Sequence, residues 1–489
     1  MGYNIEMIFE PVIGLEVHVQ LNTKSKMFCS CSAKYQEHEP NSLVCQVCLG
    51  LPGTLPSVNR EALISAIKLG LALNCNISNL TKFDRKNYVY PDLMKGYQIT
   101  QLDLPIAVEG NLMVNDSKNP EKSIRINRVH MEEDVAKLSH NEINKSVIMD
   151  VNRSGVPLLE VVTEPDFSTS AQAEYYLTQL QSIVRYLEIG TANMEEGSFR
   201  CDANVSIREK GSKQLNEKVE IKNMNRVKAV ARAIEYEVKR QEEAILKGER
   251  IIQETRGWND IDSVSIPQRS KEDAHDYRYF PEPDLPVIKI SNLFVQGIKE
   301  NMPELPKKRL ERYVSDLGLT EYDATVLINS MKKSTFFEKI ISINNNNLEP
   351  KYIASWVNVE LTSISNAKKD LDLKNMNITA ENFAKLISLV KEKKINKNSA
   401  KDLLFELYSH NQDPEKLSND KGLLILEDTN KLKNIVENVI ANNQSAIDDY
   451  NKGKETAVRF LIGQVMKESR GTANPKSAKE EILNVLKND

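Results

Sequence analysis

An α+β fold is predicted, with a mixed β-sheet domain first and helices after it. Three observations lead there. Short stretches alternate strictly between apolar and polar residues, as in "IGLEVHVQL" (Ile13–Leu21) and "SFRCDANVSI" (Ser198–Ile207), the mark of half-buried strands. Strands and helices in the first ~290 residues do not alternate regularly, as a doubly wound sheet would require. Near "KENMPELPKKR" the character changes, and from there the chain reads almost wholly helical.

Each element has a local reason. In the opening strand Ile13, Leu15, Val17, Val19 and Leu21 share one face, so Glu16, His18 and Gln20 share the other. "REALISAIKLGLALN" (Arg60–Asn74) carries Leu63, Ile64, Ile67 and Leu71 on one helical stripe. The run Val156–Val162 is apolar except for Glu160. A helix follows Ser170, read as its N-cap. Another runs from about Arg226 to Lys247 and stops at Gly248. Pro303 and Pro306 mark a linker, and Asn411, Asp413 and Pro414 a weaker break. The predicted domains are 1–295, 296–408 and 409–489.

The chain has 489 residues, 40 % apolar and 27 % charged, with a net charge of -4, so any binding to nucleic acid must be local rather than spread over the surface. No apolar run approaches a membrane span, and "MGYNIEMIFEPVIG" does not read as a secretory signal; the cytoplasm is the expected location, with no membrane partner.

Four of the six cysteines fall as Cys29-x-Cys31 and Cys45-x-x-Cys48, a spacing that lets four thiolates close a tetrahedron around a structural zinc. Cys75 and Cys201 read as ordinary buried cysteines. "HMEEDVAK" brings His130, Glu132, Glu133 and Asp134 together, and Glu160 inside its apolar run needs a partner or a metal. Arg200, Asp202 and Asn204 share the polar side of "SFRCDANVSI". Each segment alone suits a wet strand face. Two matching polar faces plus a buried acid suggest one polar cleft, whose oxygen-rich ligands and single histidine suit Mg²⁺ and substrate phosphates. "KFDRKNYVYPD", "KGYQITQ" and "DYRYFPEPD" add Lys82, Arg85, Lys86, Tyr88, Tyr90, Lys95, Tyr97, Tyr277, Arg278 and Tyr279, which suit either stacking and phosphate contact on a nucleic-acid end or sheet packing. There is no G-x-x-x-x-G-K-[ST], no G-x-G-x-x-G and no G-x-S-x-G, so a nucleotide must bind by other means and no hydrolytic nucleophile is in view.

Together these motifs, with "CQVCLGLPGTLP", "NRSGVPLLEVVTEPD", "EIKNMN" and "QETRGW" in the same order, resemble the B subunits of aspartyl/glutamyl-tRNA amidotransferases over most of residues 12–290. The tail "LIGQVMKESRGTANPK" (Leu461–Lys476) looks like that family's C-terminal, YqeY-like helical domain. The resemblance implies a catalytic cradle with a zinc-binding insertion, a helical domain and a tRNA-binding tail. It implies ATP- and Mg²⁺-dependent phosphorylation of the side-chain carboxylate of Glu-tRNA(Gln) or Asp-tRNA(Asn), then amidation by ammonia. The ammonia would come from a separate glutaminase (amidase) subunit, with a small third subunit completing a heterotrimer. By the same resemblance His18, Glu133 and Glu160 match the metal positions. Glu16 and Glu132 are neighbours for a second ion or a water. Arg200, Asp202 and Asn204 line the phosphate side, and Lys86, Tyr88 and Tyr90 lie near the acceptor end or ammonia entrance. Cys29, Cys31, Cys45 and Cys48 match the zinc-bearing branch, and Lys467, Arg470 and Lys476 touch the tRNA body.

Overall fold

A computed structural model of the chain describes residues 9–116, 119–141, 146–270, 276–344, 348–370, 373–425, 429–451, 454, 456–469 and 472–488. It forms two units, Met1–Pro306 and Lys307–Asp489.

The first unit is built on the alternating segments. Its strands and helices are β1 (Phe9–Gln20), α1 (Arg60–Ala72), β2 (Asn76–Ile77), β3 (Leu80–Thr81), β4 (Asp84–Asn87), β5 (Tyr97–Thr100), β6 (Ala107–Asp116), β7 (Asn119–Glu133), β8 (Lys137–Asn141), β9 (Ser146–Asp150), β10 (Pro157–Thr163), α2 (Ser170–Tyr186), β11 (Phe199–Glu209), β12 (Val219–Met224), α3 (Val227–Leu246), β13 (Glu254–Asn259) and β14 (Val264–Ser270). Nine strands form one sheet in the order β14-β13-β12-β11-β1-β10-β7-β6-β2. Only the β12–β13 pair is parallel, so the sheet is mixed. A small three-stranded sheet joins β4 and β5 to Phe280–Pro281.

β1 lies at the centre, and its alternation sorts the two faces. Ile13, Leu15, Val17 and Val19 are buried in the core beneath α1, α2 and α3. Each such side chain contributes about 1.5–3 kcal/mol on burial. Register then aligns the other face. His18 stands opposite Glu160 on β10 and Arg200 on β11, Glu16 opposite Asp202, and Glu160 opposite His130 on β7. The cap of α2 is Thr169, whose hydroxyl accepts the Gln172 N–H at 3.2 Å, rather than Ser170. Ser170 is instead the first helical residue and donates to Glu235 at 2.6 Å. α3 ends as expected, with Gly248 at φ +78°.

The second unit is helical, from the helix opened by Pro306 onward. At its middle an α-helix (Pro350–Ser355) runs through a π-helical turn (Trp356–Leu361) into another α-helix (Thr362–Ala367). The helix Pro414–Asp420 packs on Ala380–Lys391 and Lys397–Leu407, and the Ile425 N–H reaches the Lys394 carbonyl at 2.8 Å. The residues just after 409 thus belong with the helices before them. The last four helices, Thr429–Ala441, Gln444–Asn451, Thr456–Glu468 and Pro475–Asn488, close a core of their own around Leu432, Val436, Leu461, Val465 and Ile482.

Candidate active-site cleft and thiol cluster

The polar face of the sheet converges on three side chains. His18 Nε2 lies 3.3 Å from Glu132 Oε1 and 3.6 Å from Glu160 Oε2. One donor atom from each falls within 4.8 Å of the other two. An octahedral Mg²⁺ with ligands at 2.0–2.1 Å would space neighbouring donors about 3.0 Å apart, so this imidazole and two carboxylates fit such an ion after a small contraction. Burial would raise the Glu160 carboxyl, but His130, then His18 and Lys86, hold it below the usual carboxylate range. Glu132 moves the other way: burial raises it, with His18 opposing and Glu160 adding to the rise. Two acids this close, one favouring the proton and one the charge, are what a cation between them would resolve.

Glu133, expected in the ion set, is not brought there; Glu132 stands in its place. Successive strand residues point to opposite faces. His130 and Glu132 share the cleft side, so Glu133 turns away, where its carboxylate takes the Lys95 ammonium and the Ile99 N–H at 3.0 Å.

Beside the cluster a cleft of about 1000 Å³ is lined by Glu16, His18, Lys86, Glu160, Asp202 and Asn204, among others. Asn204 donates to Glu16 at 2.9 Å. Glu16 is raised mainly by burial and further by Glu160 and Glu220. Lys222 bonds Asp202 at 2.8 Å and Glu220 at 3.2 Å. Arg200 faces His18 in register but sends its guanidinium to Asp134 at 2.9 Å and does not line the cleft.

Tyr88 and Tyr90 line the cleft, and the Lys86 ammonium sits 4.9 Å from the Tyr277 ring centre and 5.8 Å from that of Tyr88. Burial opposes the charge on Lys86, but Glu132 and the nearby tyrosines raise its pKa. Three other basic residues of that set are engaged elsewhere, and Arg278 is exposed. Lys82 bonds Asp84 and Asp103, Arg85 bonds Glu282 at 2.7 Å and covers the Tyr97 ring at 4.2 Å, and Lys95 holds Glu133. Of Lys82, Arg85, Lys86 and Lys95, Lys86 is the one that lines the cleft.

Three residues of this network escape the sequence reading of roles. His130 Nε2 is 2.8 Å from Glu160 Oε2, Lys222 lies between two cleft acids, and Asp134 ties Arg200 to Gln20. The signals were present in "HMEED" and "EIKNMN", but only the sheet register shows which acids they meet.

The four thiols are brought together. Cys48 Sγ lies 3.4 Å from the sulfurs of Cys29 and Cys45 and 3.7 Å from that of Cys31. Four sulfurs at 2.3 Å from a tetrahedral zinc stand about 3.8 Å apart, so the set fits. The fully buried Lys26 places its ammonium 2.8 Å from the Leu43 carbonyl and 3.7 Å from Cys48 Sγ. The Cys29 thiol, with Lys26 nearby, brings Cys48 down to about 4, whereas burial lifts Cys31 to about 11. Cys75 and Cys201 are buried and apart from this set. Lys467 and Lys476 are exposed on the last two helices, and Arg470 lies outside the described residues.

Two family models match the chain: one described as the GatB/GatE catalytic domain over residues 11–296, the other as GatB domain over residues 335–486. Among relatives named as the B subunit of aspartyl/glutamyl-tRNA(Asn/Gln) amidotransferase, that of Dehalococcoides mccartyi (strain ATCC BAA-2266 / KCTC 15142 / 195) is 48 % identical, covering 98 % of this chain and 99 % of its own. That of Carboxydothermus hydrogenoformans is 46 % identical over 98 % and 99 %, and that of Persephonella marina 44 % over 98 % and 100 %. With a catalytic-domain model spanning more than half of its length and relatives aligned almost end to end, the chain belongs to the family of aspartyl/glutamyl-tRNA(Asn/Gln) amidotransferase B subunits.

Proposed function

We propose that this chain transfers the γ-phosphoryl group of ATP to the side-chain carboxylate of Glu-tRNA(Gln), Asp-tRNA(Asn) or both, after which ammonia displaces phosphate and leaves the amide. The observation that carries this reading is the His18–Glu132–Glu160 cluster at the wall of a roomy polar cleft with no hydrolytic nucleophile among the residues lining it. A free carboxylate is a poor acceptor for ammonia because its leaving group would be oxide; the acyl phosphate has phosphate to expel. Phosphoryl transfer asks for charge neutralisation and alignment rather than a protein nucleophile.

The chain's own residues have distinct parts. His18, Glu132 and Glu160 would hold Mg²⁺, which when bound offsets charge on the phosphates. Asn204 orients Glu16, and Lys222 offers a cation that Asp202 and Glu220 keep in place. Lys86, among the rings of Tyr88 and Tyr277, supplies positive charge to the cleft, where the aminoacyl end would approach. The four cysteines would hold a structural zinc, since four sulfurs leave it no open position. Ammonia comes from a glutaminase (amidase) partner, with a small third protein completing the heterotrimer. Lys467 and Lys476 suit phosphate contacts to the tRNA body that set register without reading bases.

The test uses Glu160→Gln in the complex co-purified with its partner subunits. Binding of misacylated tRNA is expected to persist and tRNA-dependent ATP cleavage to vanish. Equal loss of both would assign Glu160 to folding, and full ATP cleavage in the variant would remove Glu160 from the phosphoryl-transfer site.

A further inference from the structure

One buried group has no part in the chemistry above. His130 sits on β7, opposite Glu160 in register, and Glu160 is in turn opposite His18, so the three form one cross-strand row. The ring is buried at 4 % exposure. Its Nε2 lies 2.8 Å from Glu160 Oε2 and 3.9 Å from Glu132 Oε2. Its other nitrogen, Nδ1, is buried with no hydrogen-bond partner among the described residues. A side chain kept only for packing would not strand a polar nitrogen in the core, because an apolar ring fills the same space without that loss. The polar contact on offer is the one to the acids of the cluster.

We propose that His130 is a positioning residue: its Nε2–H holds the Glu160 carboxylate in the one orientation that faces His18 and Glu132 together. This rests on the ion-site reading of that trio. The contact of 2.8 Å to a carboxylate oxygen needs a donor at Nε2, and an imidazole N–H supplies it. Glu160 is thereby fixed before any ion arrives, and the ordering of its long side chain is not charged against binding. Groups that orient a metal ligand from behind in this way typically govern affinity by 10–100-fold.

The experiment titrates Mn²⁺, a paramagnetic substitute for Mg²⁺, into the full chain co-purified with its partner subunits, read by electron paramagnetic resonance without turnover. His130→Asn, whose amide is too short to reach Glu160, is expected to weaken Mn²⁺ about 10–100-fold. His130→Gln, whose amide nitrogen reaches the Nε2 position, is expected to recover most of that loss. In steady state His130→Asn should need correspondingly more Mg²⁺ for half-maximal ATP cleavage, with kcat regained at saturation. Equal Mn²⁺ affinity in parent and His130→Asn overturns the proposal, as does an equal loss in His130→Asn and His130→Gln. Glu160→Gln separates this from failure of the ion site. If Mn²⁺ binding is indifferent to Glu160→Gln, the ion-site reading falls and takes the proposal with it. If Glu160→Gln removes Mn²⁺ binding and His130→Asn leaves it intact, the role of His130 alone is overturned.

Discussion

Glu132 and Glu133 are neighbours in sequence with opposite fates. One joins His18 and Glu160 at the cleft; the other is locked to Lys95 and the Ile99 N–H on the far side. Glu133→Gln leaves Lys95, itself only 9 % exposed, without its charge partner. Breaking a buried pair from one side costs about 3–5 kcal/mol. Urea unfolding is expected to show that loss, while Mn²⁺ affinity in the same protein stays at the parent value; weakened Mn²⁺ with unchanged stability would return Glu133 to the ion set. The acids, His18 and Glu160 were legible in the sequence because alternation and a charge inside an apolar run are local signals. Which of two adjacent glutamates faces the cleft was not, since strand phase is set by pairing: Leu158 opposite Glu132 and Glu160 opposite His130. The same dependence hid His130 and Lys222, whose partners lie on other strands.

The elements with the clearest sequence signals formed as read: β1 and β11 from alternation and α3 with Gly248 beyond its end. The α1 helix formed too, but it buries Ala62, Ala66, Ile67 and Leu69, and Leu63, Ile64 and Leu71 of its expected stripe are only partly covered. The thiol loop was legible too, because four cysteines in close pairs need only a loop to meet. Removing zinc from it by chelation, or replacing Cys45 with Ser, is expected to open the loop to proteolysis between Cys29 and Cys48 and to lower zinc content by one equivalent, with ATP cleavage largely kept. Loss of ATP cleavage ahead of any change in proteolysis would tie the thiols to the chemistry instead. In the helical unit, Glu360 of the π-helical turn is 8 % exposed and bonds Lys397 at 3.1 Å and Lys401 at 2.9 Å. Burial would raise its pKa, but the two lysines hold it below the ordinary 4.5. A depressed carboxylate stabilises the fold above its unfolded pKa and loses that contribution as pH falls through the folded value. Both lysines are well exposed, so the contribution is about 1 kcal/mol. Glu360→Gln should therefore lower the urea midpoint of the full chain at pH 7, with the gap narrowing below pH 4.5; a gap that widens in acid would contradict it. That turn, and the packing of Pro414–Asp420 against earlier helices, had no sequence signal, because both follow from tertiary contacts rather than from caps or breakers.

At the level of the whole molecule the acid-rich balance and the cleft fit together. A net charge of -4 leaves no general affinity for nucleic acid, so a tRNA must be held by local groups; the cleft cation Lys86 and the exposed Lys467 and Lys476 are the groups proposed for it. The change from sheet to helices was readable from the pattern near Pro303 and Pro306, but the two units divide at Pro306, beyond the expected 295/296 boundary. The central claim is that the sheet unit is a carboxylate kinase. The most direct measurement is ADP formation by the complex with its amidase and small partners, glutamine and ammonia omitted, with and without misacylated Glu-tRNA(Gln) or Asp-tRNA(Asn). ADP is expected only when charged tRNA and Mg²⁺ are both present, and to disappear in His18→Ala. ATP left intact while the tRNA binds and the amidase partner is active would contradict it.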